Sequence, residues 1–397
     1  MKAIGLDIGT AFIASAQYGK SGNTTARYVR DGFFKMKALD QREAMLKASN
    51  IAYVKKDKDL YVIGNEAFDM AVLFGQELRR PLADGVISAK EVETEFILKE
   101  IIRRVAGDGT QGDVAYYSIP ANPVDQSFNN IYHREMFRRF LEGFGYRATP
   151  LNEGMAVAYA ELAEQEFTGV AVSFGAGMTN VAMSYKGMEI FSFSVARGGD
   201  YIDKQVAQVR GIPTSDAAAE KEKPGFDLLA PKDEVEQAIQ IYYKAMLEYV
   251  VGHIVEATEE HKRKIKLKDK LSFVVAGGTS MPQGFLHTLA RVLKDNPLPI
   301  PVGKVWQAKN PVMSVCKGCL IAAQKELKSD DHDVASDISD GDNKKHQYPK
   351  PVTIQDTSSE QKPSVEKTPK DLKNDVEKGK VMAKGLGHEE AIELSDF

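Results

Sequence analysis

The sequence contains little cysteine and no long apolar segment. Two cysteines among 397 residues are too few for a disulfide framework and are typical of a protein from a reducing compartment. No run approaches the ~20 apolar residues that a membrane-spanning helix needs. Asp7 interrupts the first apolar run, which excludes the continuous apolar core of a secretory signal. We therefore expect a cytoplasmic protein.

The chain also lacks an excess of basic residues. It has 52 Lys and Arg against 56 Asp and Glu, for a net charge of -4. Acidic residues outnumber lysines in residues 329–397, so the rest of the chain is nearly neutral. A nucleic-acid-binding protein usually carries a marked basic surplus. We expect no nucleic-acid partner.

Two common nucleotide motifs are missing. The chain contains no G-x-x-x-x-G-K-[ST] sequence, which excludes a P-loop. Gly175, Ala176 and Gly177 resemble the start of a G-x-G-x-x-G motif, but the sequence continues into a second strand-like run, NVAMSY. A Rossmann site requires a helix there, so this interpretation fails.

Residues 1–328 alternate short β-rich runs with long amphipathic ones, a pattern that predicts a layered α/β architecture. Residues 329–397 are dominated by Pro, Ser, Asp and Lys, and Tyr348 is their only aromatic residue before Phe397. Such a composition buries too little apolar surface to offset chain entropy, so we predict a disordered acidic tail. Its last stretch, HEEAIELSDF, is a candidate partner-binding motif.

The most informative feature is an internal repeat. KAIGLDIGTAFIASAQYG near the start and GVAVSFGAGMTNVAMSYKG in the middle each show two apolar strands around a turn of small residues. Asp7 aligns with Ser173, and Gly9 aligns with Gly175. Glycine turns let backbone N–H groups face an anion without a Cβ in the way. Each turn alone could be an ordinary hairpin, but two matching turns favour a phosphate clamp between two related lobes.

Several segments, in order, resemble the superfamily of actin, heat-shock chaperones and sugar kinases, and most closely the bacterial actin MreB. The resemblance covers residues 1–328. The segments are IGLDIGTAF and VSFGAGMTNVAMS for the two phosphate motifs, RRPLADGVIS for the return from the outer subdomain, LNEGMAVAYAEL for the connecting helix, SVARGGDYID for the following strand-helix junction, AAAEKEK and VVAGGTSMPQG for the adenosine site, and NPVMSVCKGCLIAA for the closing helix.

This resemblance implies a two-lobed actin-like ATPase fold with duplicated sheet-and-helix domains around a nucleotide cleft. Lobe I would span residues 1–150, with a small outer subdomain at 33–80. Lobe II would span 151–328, with an outer subdomain at 202–270 and a closing helix near 312–328 that packs back toward lobe I. Residues 329–397 would follow as the tail.

The resemblance also implies site residues for ATP and Mg²⁺. Asp7 would hold the metal ion through water, since a carboxylate suits this hard cation. Glu153 would position the attacking water, although an acid at a helix start is also favoured by the helix dipole alone. Glu220 and Lys223, on one helical face, would meet the ribose and base. The remaining nucleotide contacts would come from Gly9, Thr10, Ala11, Gly175, Ala176, Gly177, Met178, Thr179, Gly199, Gly277, Gly278 and Thr279.

Three positions depart from the MreB pattern. Ser173 stands where the second phosphate motif usually begins with Asp, and a hydroxyl cannot supply the charge of a carboxylate. We therefore expect nucleotide binding to survive and hydrolysis to be slow or absent. Phe12 replaces a common Asn and makes that part of the lining bulky. Gly154 replaces a usual Pro, which we expect to loosen the helix start after Glu153.

Two further features weigh against other roles. Cys316 and Cys319 form a C-x-x-C pair, but the chain has no second pair, and small residues in a closely packed helix explain the motif. We predict buried structural thiols. The loop AGDGTQG offers no apolar side chain beyond Ala106 for membrane insertion, so we expect no direct membrane anchor.

The leading functional hypothesis is an MreB-like protein that binds MgATP and forms filaments in a cytoskeletal or cell-shape role, with the tail as a solvating arm or a site for a protein partner. A chaperone-like ATPase is an alternative, because AGGTSMPQG is similar to the chaperone version. The tail, however, is too short and polar for a peptide-binding domain. A catalytically silent, nucleotide-dependent scaffold is a second alternative, favoured by Ser173.

Overall fold

A computed structural model describes residues 1–19, 22–76, 78–88, 93–126, 130–263, 270–336 and 392–394. Its strands and helices assemble into two main sheets, two small sheets and the helices that cover them. This architecture confirms the predicted two-lobed actin-like α/β fold. Among the described residues, every helix is either too short or too polar to span a lipid bilayer.

The first main sheet has five strands in the order β10-β9-β1-β2-β3. β1 pairs antiparallel with β2 and parallel with β9, so an opening hairpin is extended by two parallel strands on its other side. The strands are β1 (Ala3–Ile8), β2 (Phe12–Tyr18), β3 (Thr24–Arg30), β9 (Val114–Ile119) and β10 (Arg147–Asn152).

The second main sheet repeats this pattern. Its order is β13-β12-β11-β14-β15-β16, and β11 pairs antiparallel with β12 and parallel with β14. The strands are β11 (Gly169–Phe174), β12 (Thr179–Tyr185), β13 (Met188–Val195), β14 (Leu271–Ala276), β15 (Val302–Gln307) and β16 (Ile392–Glu393). The two hairpins that the sequence repeat predicted therefore start two sheets of equivalent topology.

Residues between β3 and β9 add an outer layer to the first lobe. They form a three-stranded sheet in the order β4-β6-β5 and a two-stranded ribbon of β7 and β8. α1 and α2 flank a small core around Phe34 and Leu46. The elements are β4 (Phe33–Lys37), α1 (Asp40–Ala48), β5 (Tyr53–Lys56), β6 (Asp59–Ile63), α2 (Asn65–Leu73), β7 (Leu82–Ala83), β8 (Val86–Ile87) and α3 (Thr94–Ala106). A further helix, α4 (Ile131–Gly143), lies between β9 and β10.

Two helices, α5 (Glu153–Glu161) and α10 (Ser314–Ser336), pack on each other and join the two lobes. The approach is close: a Cβ on Gly318 would lie 1.8 Å from the Ala156 carbonyl oxygen, and one on Gly5 would lie 2.1 Å from the Cys316 carbonyl oxygen. Small residues are thus required where the helices meet the first sheet. Cys316 and Cys319 are free and buried here, which confirms the predicted structural thiols.

The outer part of the second lobe is helical. Its core joins apolar faces of these helices to the outward face of the second sheet, around Phe174, Tyr243 and Phe285. The helices are α6 (Gly199–Arg210), α7 (Thr214–Glu222), α8 (Glu234–His261) and α9 (Phe285–Asp295), and short 3-10 turns occur at Ala163–Gln165 and Gly278–Ser280. Asp233 caps α8 by accepting hydrogen bonds from the backbone N–H groups of Val235 and Glu236.

Most of the predicted tail lies outside the described residues, but two parts of it have regular structure. α10 continues past Lys328 to Ser336, because a helix anchored by packing propagates into polar sequence more easily than it starts there. Near the C-terminus, Ile392–Glu393 forms β16 on the edge of the second main sheet, where Ile392 and Leu394 contact the core of the second lobe.

Candidate functional site

The turn between β1 and β2 supplies the first predicted phosphate loop. The N–H of Gly9 donates to the Phe12 carbonyl oxygen at 3.1 Å and closes the turn, and the carbonyl of Ala11 accepts from the N–H of Asp31 at 2.9 Å. Thr10 is buried, and its Oγ1 accepts a hydrogen bond from the N–H of Gly85 at 3.1 Å. The loop is therefore held from inside the first lobe by the β7–β8 turn.

The turn between β11 and β12 has the same construction. The N–H of Gly175 donates to the Met178 carbonyl oxygen at 3.0 Å, just as Gly9 donates to Phe12. Met178 and Thr179 are buried, and Thr179 Oγ1 donates to the Arg197 carbonyl oxygen at 2.7 Å. Ala176 accepts from the N–H of Asp200 at 2.8 Å, which ties this loop to the first turn of α6.

The two loops meet across the cleft. A Cβ on Gly177 would lie 2.6 Å from Thr10 Oγ1 and 2.3 Å from the Gly85 nitrogen. Met178 packs on the same β7–β8 turn, since a Cβ on Gly85 would lie 2.2 Å from its side chain. The structure thus brings the sister turns together, with the Asp84–Gly85 turn packed against both.

The other predicted glycine segments converge on one carbonyl group. The Gly175 carbonyl oxygen accepts from the N–H of Gly199 at 3.0 Å and from Thr279 Oγ1 at 2.8 Å. Gly277 precedes Gly278 and Thr279 with a φ of 90°, and a Cβ there would lie 2.2 Å from the Phe174 carbonyl oxygen. Only glycine suits this conformation and this contact. The α6 start and the strand-ending Gly277–Thr279 turn are therefore fixed to the second loop.

A pair of half-buried carboxyl groups lies beside the first loop. Asp7, in β1, accepts a hydrogen bond from Ser118 Oγ at 2.9 Å, and burial raises its pKa to about 6 despite that bond. Glu153 is the first residue of α5. Burial, together with the nearby charge of Asp7, raises the Glu153 pKa to about 8. The two carboxylate groups repel each other when both are ionised.

Ser173 and Asn180 partner Glu153. Interactions with both side chains oppose the rise in the pKa of the Glu153 carboxyl group. Ser173 and Asn180 are also register partners in the β11–β12 hairpin, and Asn180 Oδ1 accepts from the N–H of Ala121 at 2.9 Å. Ser173, the position where the family pattern usually has Asp, therefore faces the predicted catalytic glutamate.

This donor set fits a hard divalent cation. Two half-buried carboxyl groups lie near each other, and the charge of one raises the pKa of the other, a repulsion that a bound cation relieves. Ser118 fixes one Asp7 oxygen through a hydrogen bond. The chemistry of Asp7 and its surroundings therefore suits the predicted Mg²⁺ position.

Glu220 and Lys223 lie at the end of α7 and form an ion pair with each other. Lys223 Nζ also lies 2.9 Å from Oε1 of the fully buried Glu236. Their neighbour Lys221 faces the start of α6 instead: its Nζ donates to the Gly199 carbonyl oxygen at 3.1 Å and to Asp203 Oδ2 at 2.6 Å. Sequence reasoning missed Lys221, because a run of alternating charges gives no sign of which residue points inward.

Sequence reasoning also missed the ion pairs that cross between lobes. Arg80 donates to both oxygens of Asp200 at 3.0 Å, and Lys204 Nζ lies 2.8 Å from Asp84 Oδ1. Arg80 and Asp84 border the β7–β8 ribbon, whereas Asp200 and Lys204 lie on α6. The segment RRPLADGVIS indicated this region only as a connection, and pairing across 120 residues has no local signal in the sequence.

Phe12 and Gly154, the two other departures from the MreB pattern, are both in contact with neighbouring elements. Phe12 packs edge-on against Tyr28, with ring centroids 5.7 Å apart, and lies under the Arg30 guanidinium at 4.9 Å. Gly154 is buried at the start of α5, where a Cβ would lie 2.6 Å from the Ala182 nitrogen. Glycine at this position allows α5 to pack closely on β12.

Two lobes built on equivalent sheets, with matching glycine turns facing each other between them, define the actin-like ATPase fold. Comparison with protein families narrows this class. The chain belongs to the Volactin family, whose model matches residues 1–323.

Solved structures support the same fold. The structure of a MamK double helical filament matches with a TM-score of 0.58 at 18% identity, covering 81% of this chain and 98% of that one. MreB5 of Spiroplasma citri bound to AMPPNP matches with a TM-score of 0.59 at 17% identity, covering 83% of this chain and 98% of that one. The ADP-bound form of the same protein matches with a TM-score of 0.58 at 18% identity. No curated protein matches the sequence.

Proposed function

We propose that the protein binds MgATP in the cleft between its two lobes and uses the bound nucleotide to control its assembly into filaments, in a cytoplasmic cytoskeletal role. The observation that carries this proposal is the meeting of the sister turns, in which Gly177 lies against Thr10 while Gly199 and Thr279 both bind the Gly175 carbonyl group. Because both lobes would contact the same phosphates, nucleotide favours the closed arrangement.

The adenosine end would lie against Gly277, Gly278 and Thr279, with Glu220 and Lys223 at its edge. The strand-ending glycines permit close approach of a planar base to the backbone. Lys221 holds the Gly199 carbonyl group and thereby supports the loop that receives the phosphates. In this arrangement, the loop after β11, the start of α6 and the Gly277–Thr279 turn would all lie around one nucleotide. These three segments are joined by the hydrogen bonds of the Gly175 carbonyl group.

Asp7 would hold Mg²⁺ through water, and the ion would supply positive charge to the phosphate oxygens. Glu153 would orient the attacking water, and Ser173 and Asn180 lie close enough to the Glu153 carboxyl group to affect its pKa. Phosphoryl transfer depends mostly on positioning and electrostatics. With Ser173 in place of a carboxylate, one charge that would orient the water is missing, so hydrolysis is slow.

The proposal of filament formation rests on solved structures with the same fold. The MamK structure is a double helical filament, and MreB5 is bound to AMPPNP or ADP. The likeness of this chain to those proteins is a likeness of fold, and filament assembly is therefore a proposal by analogy.

Two experiments test the proposal. Calorimetry with Mg²⁺ and ATP or ADP should show binding, and an absence of heat at millimolar nucleotide would overturn it. Sedimentation and negative-stain microscopy with ATP, ADP or no nucleotide should show filaments whose amount depends on the nucleotide. If the protein binds nucleotide yet stays monomeric under all three conditions, the proposed binding site is supported and the proposed cytoskeletal role is wrong.

A nucleotide-dependent scaffold without turnover is the second candidate, favoured by Ser173 beside Glu153. Phosphate release should be measured in the native protein, in Glu153→Ala and in Ser173→Asp. Release that falls in Glu153→Ala supports a slow ATPase. Release indistinguishable from the buffer rate in the native protein, with nucleotide still bound, supports the scaffold.

A further inference from the structure

The second main sheet ends in a strand contributed from far away in the sequence. β16 pairs antiparallel with β15, with Lys304 opposite Glu393 and Val305 opposite Ile392. On its other side β15 pairs with β14, so β16 covers the edge that β15 would otherwise expose. An uncovered edge presents unpaired N–H and C=O groups that readily accept a strand from another molecule.

Side-chain packing supports this pairing. Ile392 lies in β16, and Leu394 directly follows the strand. Both are half-buried against the core of the second lobe, and β16 also contacts α9. The segment thus combines main-chain pairing with two apolar anchors, as in strand-addition recognition of peptides.

The contact is too small to hold a free peptide tightly, because two paired residues give little stability on their own. Residues 337–391 join it to the end of α10. The segment and the β15 edge belong to the same chain, and linkage within one chain raises the effective concentration of a segment above that of a free peptide. Weak intrinsic affinity is therefore sufficient within one chain.

We propose that the C-terminal segment Ile392–Leu394 is an intramolecular strand that covers the β15 edge of its own chain and prevents copies of the protein from associating through this edge. The ligand of the edge is a short extended segment whose apolar residues Ile392 and Leu394 flank the position opposite Lys304. This inference does not depend on nucleotide binding.

A designed disulfide tests the pairing in the full chain. Lys304 and Glu393 are register partners, and Cα atoms of such pairs lie about 4.5–5.5 Å apart, within disulfide range. The double variant Lys304→Cys/Glu393→Cys should oxidise within single molecules and run as a compact monomer on non-reducing gels. Cys316 and Cys319 do not interfere, because both are buried and burial raises the pKa of both thiols.

The matched control is Lys309→Cys/Glu393→Cys, with the first cysteine five residues beyond Lys304, about 15 Å further along an extended chain. It should not form the intramolecular bond. Equal crosslinking in both variants, no crosslinking in either, or disulfide-linked dimers as the main product of Lys304→Cys/Glu393→Cys would overturn the proposal.

A second experiment tests whether the segment shields the β15 edge from other copies of the protein. Ile392→Asp/Leu394→Asp should release the segment, speed amide exchange along β15 and produce larger species by light scattering without nucleotide. The conservative Ile392→Leu/Leu394→Ile variant should behave as the native protein does. Faster exchange without any growth in particle size would refute the covering role, and unchanged exchange in the aspartate variant would refute the docking itself.

Discussion

Gly177 lies so close to the opposite lobe that a methyl group on it would come within 2.3 Å of the Gly85 nitrogen and 2.6 Å of Thr10 Oγ1. Contacts this short require the neighbouring groups to move, and two of the three nearest atoms belong to the backbone of the Asp84–Gly85 turn. The absence of a side chain at residue 177 is thus a condition for the two phosphate loops to meet.

Gly177→Ala should therefore weaken nucleotide binding, because the added methyl group is accommodated only if the loops separate. Overpacking of this kind costs about 1–3 kcal/mol, which corresponds to a loss of affinity of roughly 5- to 150-fold. Gly252→Ala is the matched control: no heavy atom lies within 4 Å of the added Cβ, and alanine favours the interior of α8 by about 1 kcal/mol. Calorimetry should show weaker nucleotide binding in Gly177→Ala and native binding in Gly252→Ala, whereas thermal unfolding should show a lower midpoint for Gly177→Ala and a higher one for Gly252→Ala. Equal nucleotide affinities would contradict the steric argument.

The ion pairs Arg80–Asp200 and Asp84–Lys204 tie the β7–β8 ribbon to α6 across the cleft. Arg80→Gln should let the lobes separate more often and speed the release of a fluorescent nucleotide. Partly exposed pairs contribute about 0.2–1 kcal/mol, so we expect nucleotide release to be roughly two- to fivefold faster. The effect should be larger if Arg80 keeps both hydrogen bonds to Asp200, since bidentate pairs are stronger.

Stopped-flow displacement measures this rate, and Arg104→Gln is the control, since it removes the same charge from an exposed pair within α3. The double variant Arg80→Gln/Asp200→Asn should be no faster than Arg80→Gln alone, because the two residues act through one interaction. Additive effects would show that they act separately.

Local patterns in the sequence indicated the parts of this site that depend on local structure. A glycine turn between two apolar runs specifies a hairpin, and the second copy of that turn indicated the duplication that the two sheets display. Ser118, which binds Asp7, and Lys221, which binds Gly199, were not predictable in this way. Their roles arise from tertiary contacts between elements that are distant in sequence, and neither residue type carries a distinctive spacing.

Asp31 supplies a test of stability against pH. The residue is fully buried, Oδ2 accepts from the N–H of Leu82 at 3.1 Å, Oδ1 has no partner among the described residues, and burial raises the pKa to about 8. The unfolded carboxyl group ionises near its ordinary value of 3.8, while the folded one stays protonated up to about 8. The folded state therefore binds more protons in this window, and its stability falls as pH rises from about 4 to about 8.

Asp31→Asn keeps an oxygen for the Leu82 N–H and removes the titration. As pH rises through this window, the unfolding free energy of the variant should increase relative to that of the native protein by up to about 1.4 kcal/mol per pH unit. It should then level off above about pH 8. Urea unfolding at several pH values measures it, and parallel curves for the two proteins would show that Asp31 is ionised in the folded state.

The buried pair of Lys221 and Asp203 separates a structural effect from an effect on the site. Both side chains are less than a tenth exposed, and Lys221 also donates to Gly199, the residue whose N–H binds the second loop. Lys221→Met should destabilise the protein by about 3–5 kcal/mol, because it leaves the Asp203 carboxyl group buried without its partner. It should also weaken nucleotide binding, since the Gly199 carbonyl group loses its donor.

The double variant Lys221→Met/Asp203→Leu distinguishes the two effects. Replacing both charges with apolar groups removes the unpaired carboxylate, so most of the lost stability should return. The Gly199 carbonyl group still lacks its donor, so nucleotide affinity should stay low. If affinity recovers together with stability, Lys221 supports only the packing of α6 on α7, and its contact with Gly199 has no part in holding the loop.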